Sequence, residues 1–420
     1  MTTKDRTREH RTHLTFRYEA LRAVAAGILE TASSTFLLLI AVRWFEAGAL
    51  AKGCVAAGAG LGYVLTPALV AAVEAARMPV ALAASRLALG GAAVLALAAL
   101  MPGLAVFVLA SMTAIAAAGA MHPLLTQMYQ DNYPARSRGR FFSQVMMIRI
   151  GSAAAFSVGA GSLLARDLGY FRTLLVVFAA ALAFSGWCLR QIPSAVLHVS
   201  GGRHPLRAFR HVRDDAVFRT TLIAWMFMGF ANLMMLPLRV EYLANPVYRL
   251  ALPPDTIALL TGVVPNLARL VMSPVWGWLF DRVNFFVLRI TLNIGFAIGV
   301  ASFFASDSIS GFVWAAIVTG VSSAGGDLAW SLWVTKLAPA ERVAEYMSVH
   351  TFFTGVRGLL APMLGFLLVA HWSITAMGWL AAGLIVAASL VLIPGARRND
   401  LGTRHTTPAS PPAPADQGQP

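Results

Sequence analysis

The sequence predicts an all-α membrane protein in which twelve transmembrane helices form two pseudo-symmetric six-helix bundles. Hydrophobic residues make up 58% of the 420 residues and charged residues only 12%, whereas a soluble domain contains about 25% charged residues. Apolar runs of about 20 residues, long enough to cross a hydrocarbon core of about 30 Å, recur along the whole chain. The two halves of the chain also contain matching segments.

The apolar runs define the predicted spans, numbered 1 to 12 in chain order. They cover residues 20–43, 53–73, 79–101, 104–128, 141–164, 170–192, 218–241, 256–280, 285–305, 310–336, 343–370 and 373–394. Every backbone polar group within lipid must be paired internally, so a span is a helix or a strand of a closed barrel. The runs do not alternate polar and apolar residues as barrel strands do, and we therefore expect helices.

The spans divide the chain into five parts. We expect a cytoplasmic N-terminal tail over 1–19, a six-helix bundle over 20–192, a cytoplasmic linker over 193–217, a second six-helix bundle over 218–394 and a proline-rich tail over 395–420. That last tail is poor in hydrophobic residues, which is typical of disordered segments. Because no polar stretch is long enough for a large soluble domain, the sequence predicts that the protein is not an enzyme.

Two pairs of segments carry the internal repeat. Residues 66–77 and 273–282 each contain a hydroxyl residue, a proline and an acid seven positions after the proline, with Pro67 matching Pro274. Residues 117–134 match 323–339 at nearly the same shift, with Gly119 opposite Gly325. Two similar halves in the same orientation are typical of transporters that have one site between the halves.

The formal net charge of +14 is distributed unevenly between the two sides of the predicted membrane. The positive-inside rule predicts that both termini are cytoplasmic and that the protein lies in the cytoplasmic (inner) membrane. Because the basic residues are spread over many short loops, we expect no nucleic-acid partner. The arginine-rich linker is expected to rest against anionic lipid headgroups. The odd-numbered connections hold few basic residues, namely Arg43, Lys52, Arg166, Arg172, Arg239 and Arg249.

Neither the N-terminus nor the cysteines change this interpretation. The first apolar run is about 20 residues long, beyond the roughly 7–15 residues of a signal peptide, and we expect it to be retained as span 1. Cys54 and Cys188 lie in different spans and fit no metal or redox spacing. No metal or other cofactor is therefore predicted.

Twelve spans, cytoplasmic termini, a long connection after span 6 and an internal repeat together resemble the major facilitator superfamily. The resemblance covers about residues 20–394. Its most specific residues are GWLFDR at 277–282, similar to the family's signature loop of Gly-x-Leu-x-Asp-Arg form, with Gly277, Asp281 and Arg282 at the matching positions. The first-half copy keeps Glu74 and Arg77 and departs from the signature elsewhere.

The resemblance implies that the loop acids form a latch that closes the cytoplasmic side. An acidic side chain is stabilised at the N-terminal end of a helix, where unpaired N–H groups carry partial positive charge. We expect Asp281 to lie near the start of span 5, beside Arg138 and Arg140, and Glu74 to lie near the start of span 11, beside Arg342. The alternative is that Asp281 and its neighbouring arginine only turn a short loop.

Ionisable residues within the spans are the next signal. Each costs about 2.5–3.5 kcal/mol at a helix centre on insertion scales, so such residues usually face a cavity or a partner. Several stand at nearly equivalent positions of the two halves, which predicts that they converge on a central cavity. The candidates are Glu30 in span 1, His122 in span 4, Arg149 in span 5, Arg269 in span 8, Asp327 in span 10 and Arg357 in span 11.

Each candidate also has a purely structural interpretation. Asp327 could form a buried ion pair with Arg269 or Arg357, which would be costly to break without any role in transport. Arg149 could extend towards the cytoplasmic interface, and His122 could be a hydrogen-bonded core histidine. Proton binding by Glu30 could couple solute movement to a proton gradient, and the alternative is a glutamate bonded to a neighbouring helix.

Two further residues complete the predicted cavity. Asn232 stands alone among Met, Phe and Trp residues of span 7, and Trp330 shares a face of span 10 with Asp327. With the arginines, this surface would favour an anionic or amphiphilic organic solute. The sequence thus predicts a secondary transporter that works by alternating access, with protons as a candidate coupling ion. A lipid flippase on the same fold and a non-transporting sensor or scaffold are the alternatives.

Overall fold

The computed structural model describes residues 3–101, 103–134, 137–196, 209–338 and 342–397. Twelve helices in these residues are long and apolar enough to cross a membrane, which confirms the predicted fold class. Residues 197–208 of the linker and 398–420 of the proline-rich tail lie outside the described residues. The observed spans 1 to 12 are Glu9–Arg43, Ala49–Ala75, Val80–Leu100, Leu104–Asn132, Gly139–Arg166, Leu168–Arg190, Ala216–Ala244, Pro254–Arg282, Phe285–Ala305, Ile309–Leu337, Glu345–Leu368 and Ile374–Ala396.

Span 1 is longer than predicted, because its helix begins at Thr3 and continues to Thr31. The expected tail over 1–19 is therefore not a separate segment from Thr3 onwards. Thr12 donates a hydrogen bond of 2.8 Å to the carbonyl of Asn132 in span 4, and Arg22 Nε lies 2.8 Å from a carboxylate oxygen of the fully buried Glu19. Hydropathy did not predict this part of the helix because it is rich in polar residues. These residues are tolerated because they pair with one another and with span 4.

Spans 1 and 8 each contain a turn of π-helix, over Ala32–Phe36 and Leu259–Val263. Single π turns are rare and are frequent at functional sites. The two turns meet across the halves, where the hydroxyl oxygens of Thr35 and Thr261 lie 3.0 Å apart.

The helix pairs that pack together show the pseudo-symmetry of the bundles. In the first bundle, span 1 packs on spans 5 and 6, span 2 on span 4, and span 3 on spans 4 and 6. In the second bundle, span 7 packs on spans 11 and 12, span 8 on span 10, and span 9 on spans 10 and 12. Each pairing recurs six spans later, as two repeats in the same orientation require.

The two bundles meet mainly through spans 2 and 11 and through spans 5 and 8. Glycine allows the closest approach: a Cβ atom on Gly60 would lie 2.2 Å from the backbone of Gly358, and one on Gly161 would lie 2.6 Å from the side chain of Ala258. Two other glycines of span 2, Gly58 and Gly62, face span 4 within the first bundle. Small residues thus serve packing both between and within the bundles.

The two ends of the spans are named by their connections. The basic face carries the linker and the connections after spans 2, 4, 8 and 10, and the opposite face carries those after the odd-numbered spans. Polar contacts between described residues of the two halves lie at mid-span or towards the opposite face, namely Glu30 with Arg269, Thr35 with Thr261, Arg43 with Leu252 and Lys52 with Glu241. These polar contacts therefore join the described parts of the bundles at mid-span and towards the opposite face.

Candidate functional site

Four of the predicted intramembrane residues form one ion-pair network at the middle of the spans. Arg269 Nη1 lies 2.5 Å from one carboxylate oxygen of Glu30, and Arg149 Nε lies 2.9 Å from the other. Arg269 also donates from Nε to Asp327 Oδ2 at 2.6 Å. The network joins spans 1 and 5 of the first half to spans 8 and 10 of the second half.

The exposure of the four side chains indicates which of them water or a solute can reach. The side chain of Arg269 is only 9% exposed, whereas those of Glu30 and Arg149 are 26% exposed and that of Asp327 is 42% exposed. The network therefore lies at the edge of an accessible space, with Asp327 as its most accessible member. Arg269 is the buried centre that both acids contact.

The charges of this network cancel, since two carboxylates face two guanidinium groups. Arg149 and Arg269 are therefore not the free cationic surface that the sequence suggested. The contact between Arg149 and Glu30 is ionic, because the Arg149 Nε–H makes no hydrogen bond. A solute anion could bind either guanidinium only after one acid has moved away or taken up a proton.

The structure places Arg357 elsewhere, inside the second bundle. It is only 4% exposed, and its guanidinium donates hydrogen bonds to the carbonyl of Trp225 and, at 3.1 Å, to Thr354 Oγ1. A Cβ atom on Gly229 would lie 2.3 Å from the Arg357 Nη1, so the guanidinium packs directly against the backbone of span 7 at this point. The hypothetical pair of Arg357 with Asp327 is absent among the described contacts, where Asp327 pairs with Arg269.

Aromatic side chains from both halves form a wall next to Asp327. Trp330, one helical turn after Asp327, lies 6.2 Å from the His122 ring and 6.3 Å from the Tyr63 ring, as measured between ring centroids. Tyr63 and His122 are 5.7 Å apart. His122 and Trp330, predicted from opposite halves, are thus brought together, and Tyr63 of span 2 is a wall residue that the sequence analysis missed.

The amide of Asn232 has no contact with the network among the described residues. Asn232 is half-buried on span 7, and its side-chain oxygen has no hydrogen-bond partner. His350 is buried, and its ring centroid lies 5.7 Å from that of Trp330.

The predicted latch residues lie at the basic face, and no ion pair of the latch is found among the residues that the structure describes. Asp281 and Arg282 are exposed, and the Arg282 guanidinium lies 4.4 Å from the ring centroid of Trp278. A Cβ atom on Gly277 would meet nothing within 4 Å. Among the described residues neither Asp281 nor Glu74 makes an ion pair.

The partners proposed for those acids also make no ion pair with them among the described side chains. Arg77, Arg140 and Arg342 are exposed, and the side chain of Arg138 lies outside the described residues. The latch therefore stays a prediction for a conformation in which the basic face is closed.

A second ion pair joins the halves near the opposite face, and the sequence analysis did not predict it. Lys52 Nζ in span 2 lies 2.5 Å from Glu241 Oε1 in span 7, and the two side chains are 10% and 3% exposed. The Asn245 amide also donates to Glu241 Oε1, at 2.7 Å. Hydropathy places Lys52 in a connection, whereas it lies in the first turn of span 2. The sequence feature that could have indicated this pair is the acid Glu241 at the end of the apolar run of span 7.

The opposite face also contains a cavity of about 420 Å³ between the halves, and the residues that line it include Arg43, Arg166, Asp167, Ala251, Pro253 and Pro254. Arg43 donates to the carbonyl of Leu252 at 2.7 Å and so ties span 1 to the connection before span 8. With the pair of Lys52 and Glu241, these contacts close the opposite face.

Comparison with known proteins agrees with this architecture. A model of the Major Facilitator Superfamily matches residues 240–416, and a search of curated protein sequences finds no match. A crystal structure of a mutant of the nucleoside transporter NupG superposes with a TM-score of 0.72 at 13% identity, over 91% of this chain and 99% of that one. A D-xylose-proton symporter superposes with a TM-score of 0.64 at 16% identity, over 93% of this chain and 97% of that one.

A bacterial homolog of the human lysosomal transporter Spinster, in an inward-facing and occupied conformation, superposes with a TM-score of 0.62 at 13% identity, over 93% of this chain and 95% of that one. At these identities the likeness is one of fold and does not extend to what the proteins transport. With the signature loop at 277–282, the family model indicates that the second half of this chain is similar to the major facilitator superfamily, and the superposed structures show the fold that the chain shares with them.

Proposed function

We propose that this protein moves a small, anionic or amphiphilic organic solute across the cytoplasmic membrane by alternating access, and that a proton accompanies the solute. The observation that carries the proposal is the position of Glu30, which contacts Arg149 of its own half and Arg269 of the other half. Rocking of one bundle against the other must change the second of these contacts.

Proton coupling follows from the charge balance of the network. A carboxylate that loses an opposite charge binds a proton more tightly. When Arg269 moves away from Glu30, proton uptake by Glu30 neutralises that acid and leaves one guanidinium charge of the network without a partner. An anionic solute then restores neutrality, so proton and anion bind together. This order makes the transporter a symporter and explains how balanced charges can still select an anion.

The aromatic wall supports a solute that also has an apolar or flat part. Tyr63, His122 and Trp330 present ring faces and edges beside Asp327, and such rings favour stacking or edge contacts worth about 0.5–1.5 kcal/mol per pair. The structurally similar proteins include a nucleoside transporter and a D-xylose-proton symporter. We infer that the solute is a small organic anion with an apolar or ring portion.

The orientation in the membrane belongs to the same proposal. The basic face is assigned to the cytoplasm by the positive-inside rule, so the conformation described is open to the cytoplasm. Reporter fusions at the two termini test this, since a reporter that is active only in the cytoplasm must work at both ends.

Proton movement in proteoliposomes tests the coupling even while the solute is unidentified. Liposomes that contain the protein and a pH-sensitive dye are challenged with panels of carboxylates, sugars, nucleosides and short peptides. We expect organic anions to induce proton flux, and we expect Glu30→Gln to abolish that flux while exchange of labelled solute across the membrane is retained.

Glu46→Gln is the matched control, because Glu46 is an exposed acid outside the network. If Glu30→Gln and Asp327→Asn both show the proton flux of the parent protein, neither acid carries the proton. If neutral sugars or nucleosides induce flux and organic anions do not, the assigned solute class is wrong.

A further inference from the structure

The second bundle contains a group of buried polar side chains that the central network does not use. All are 5% exposed or less. The unpaired atoms include both indole N–H groups, Nη1 of Arg289, Nε of Arg357 and both polar side-chain atoms of the Asn and the His. We name this group the arginine–tryptophan cluster, and its members are Trp225, Arg289, Asn293, Trp333, His350 and Arg357.

Unpaired polar atoms are exceptional inside a folded protein. Each costs about 1–3 kcal/mol when it is left without a partner, and such groups call for an explanation such as an ion. The cluster combines several N–H donors with few acceptors, since a guanidinium and an indole can only donate. A donor-rich site of this kind is suited to an anion.

The charge of the cluster leads to the same conclusion. Arg289 and Arg357 keep their charge under all ordinary conditions, and within the described residues neither forms an ion pair with an acid. The buried Arg22 of the first bundle, in contrast, pairs with Glu19. A buried charge that lacks a counter-charge is strongly destabilising, so the second bundle has a deficit of negative charge.

The donors converge on one tryptophan. The Arg289 Cζ lies 3.7 Å from the ring centroid of Trp225, and the Arg357 Cζ lies 5.7 Å from it. The rings of Trp333 and His350 lie 6.0 Å and 5.2 Å from the same indole. The cluster therefore occupies one place between spans 7, 9, 10 and 11, behind the aromatic wall of the central cavity.

The position of a weak acceptor indicates where an ion would enter. Arg289 Nη2 donates at 2.9 Å to the thioether sulfur of Met228, which is a poor acceptor. Methionine side chains are flexible and adapt readily to a changed neighbour. An anion is a far better acceptor for a guanidinium than a thioether, so it would displace the sulfur and take its place beside Arg289.

We propose that the arginine–tryptophan cluster is a binding site for a small inorganic anion of halide size, held by the guanidinium groups of Arg289 and Arg357 and by the neighbouring indole and amide N–H donors. Aromatic rings enclose the cluster, which favours a small ion over an organic anion. The site lies within one bundle and is independent of proton binding at Glu30.

Thermal unfolding of the purified protein tests the site. The midpoint is measured at constant ionic strength while gluconate, which is too large for the cluster, is replaced by chloride or bromide. A ligand that binds only the folded state raises the midpoint in a saturable way. We expect a rise of several degrees for the parent protein and for Arg213→Gln, an exposed arginine of the linker, and no rise for Arg289→Gln.

A second measurement covers the case in which Arg289→Gln does not fold. Crystals of the parent protein grown with bromide in place of chloride should give an anomalous peak within hydrogen-bond distance of Arg289. The proposal is overturned if the midpoint in chloride or bromide equals that in gluconate, or if the bromide crystals give no anomalous peak in the cluster. Neither measurement depends on transport, so their failure leaves the proposed function untouched.

Discussion

Glu30 contacts a guanidinium of each half, and this sets it apart from the other buried acids. Glu19 pairs with Arg22 of its own helix, and Glu241 pairs with Lys52 near the opposite face. The contact of Glu30 with Arg269 therefore reports the relative position of the two bundles at mid-membrane. A residue in this place can connect its own protonation to the conformational change of the whole molecule.

The cost of a charged side chain within a membrane span explains which site residues could be predicted from the sequence. An ionisable residue in an apolar run needs a partner, and this reasoning points to Glu30, Arg149, Arg269 and Asp327, which the structure joins in one ion-pair network. It did not identify the partner of Arg357, because the carbonyl of Trp225 and the hydroxyl of Thr354 satisfy part of its guanidinium from inside the bundle. Every residue has a backbone carbonyl, so the sequence does not show which carbonyl will accept a hydrogen bond from a given side chain.

Gly60 gives a prediction for a single Cβ atom. Gly60→Ala would place a methyl group 2.2 Å from the backbone of Gly358, so spans 2 and 11 would have to separate. Overpacking of this kind costs about 1–3 kcal/mol of the free energy of unfolding. We expect a lower midpoint of thermal unfolding than in the parent protein.

Gly90→Ala in span 3 is the matched control, because a Cβ atom at Gly90 would meet nothing within 4 Å. Alanine is about 0.5–1 kcal/mol more favourable than glycine within a helix, so this variant should be as stable as the parent or slightly more stable. Equal midpoints for the two variants would contradict the close packing of spans 2 and 11.

At the scale of elements, the number and order of the spans followed from hydropathy, whereas their ends and irregular turns did not. The predicted spans 3 and 9, over 79–101 and 285–305, match the observed Val80–Leu100 and Phe285–Ala305. The predicted span 1 begins only at residue 20, because the polar residues before it lower the local hydropathy. The helix continues through them because some of their side chains bond to span 4. The π turns of spans 1 and 8 depend on contacts between the halves, which local composition does not encode.

The ion pair between spans 2 and 7 gives a prediction about the closed opposite face. Both side chains of Lys52 and Glu241 are largely buried, and loss of one partner of a buried pair costs about 3–5 kcal/mol. In the conformation described, loss of the pair therefore destabilises the closed state of the opposite face. Because about 1.4 kcal/mol corresponds to a tenfold change in an equilibrium, Glu241→Gln should raise the population open at the opposite face at least tenfold.

Spin labels on either side of that face provide the measurement. The labels are placed at Arg166→Cys and Val247→Cys in a protein with Cys54 and Cys188 replaced by serine. Double electron–electron resonance spectroscopy then gives the distance between the two labels, and so between the halves. We expect a new population at longer distance in Glu241→Gln. A distance distribution unchanged from that of a Glu46→Gln control would show that the pair does not hold this face closed.

At the scale of the whole molecule, different contacts are available to close each of the two faces. The central network connects the bundles at mid-membrane, the pair of Lys52 and Glu241 joins them at the opposite face, and the signature loop at 277–282 is exposed at the basic face. In the proposed mechanism, a rotation about the centre that opens the opposite face would bring the basic ends of spans 5 and 8 together. Alternating access requires contacts of this kind to form in turn.

Cross-linking at the basic face tests the predicted latch in the conformation where it should form. Cysteines in place of Gly139 and Arg282 lie at the start of span 5 and the end of span 8, and Asp281 and Arg140 remain intact. A disulfide forms only when the Cα atoms approach within about 7 Å. We expect little cross-linking in the parent background and a severalfold higher yield with Glu241→Gln.

Adding Asp281→Asn to the cross-linking variant should lower the yield again, because the acid is the group that a helix N-terminus attracts. The Glu46→Gln background should give the parent's yield. If Asp281→Asn leaves the higher yield unchanged, the faces still alternate but Asp281 does not hold the basic face closed, and the signature loop then acts only as a turn. A yield that is the same in every background would mean that closure of the basic face is not connected to opening of the opposite one.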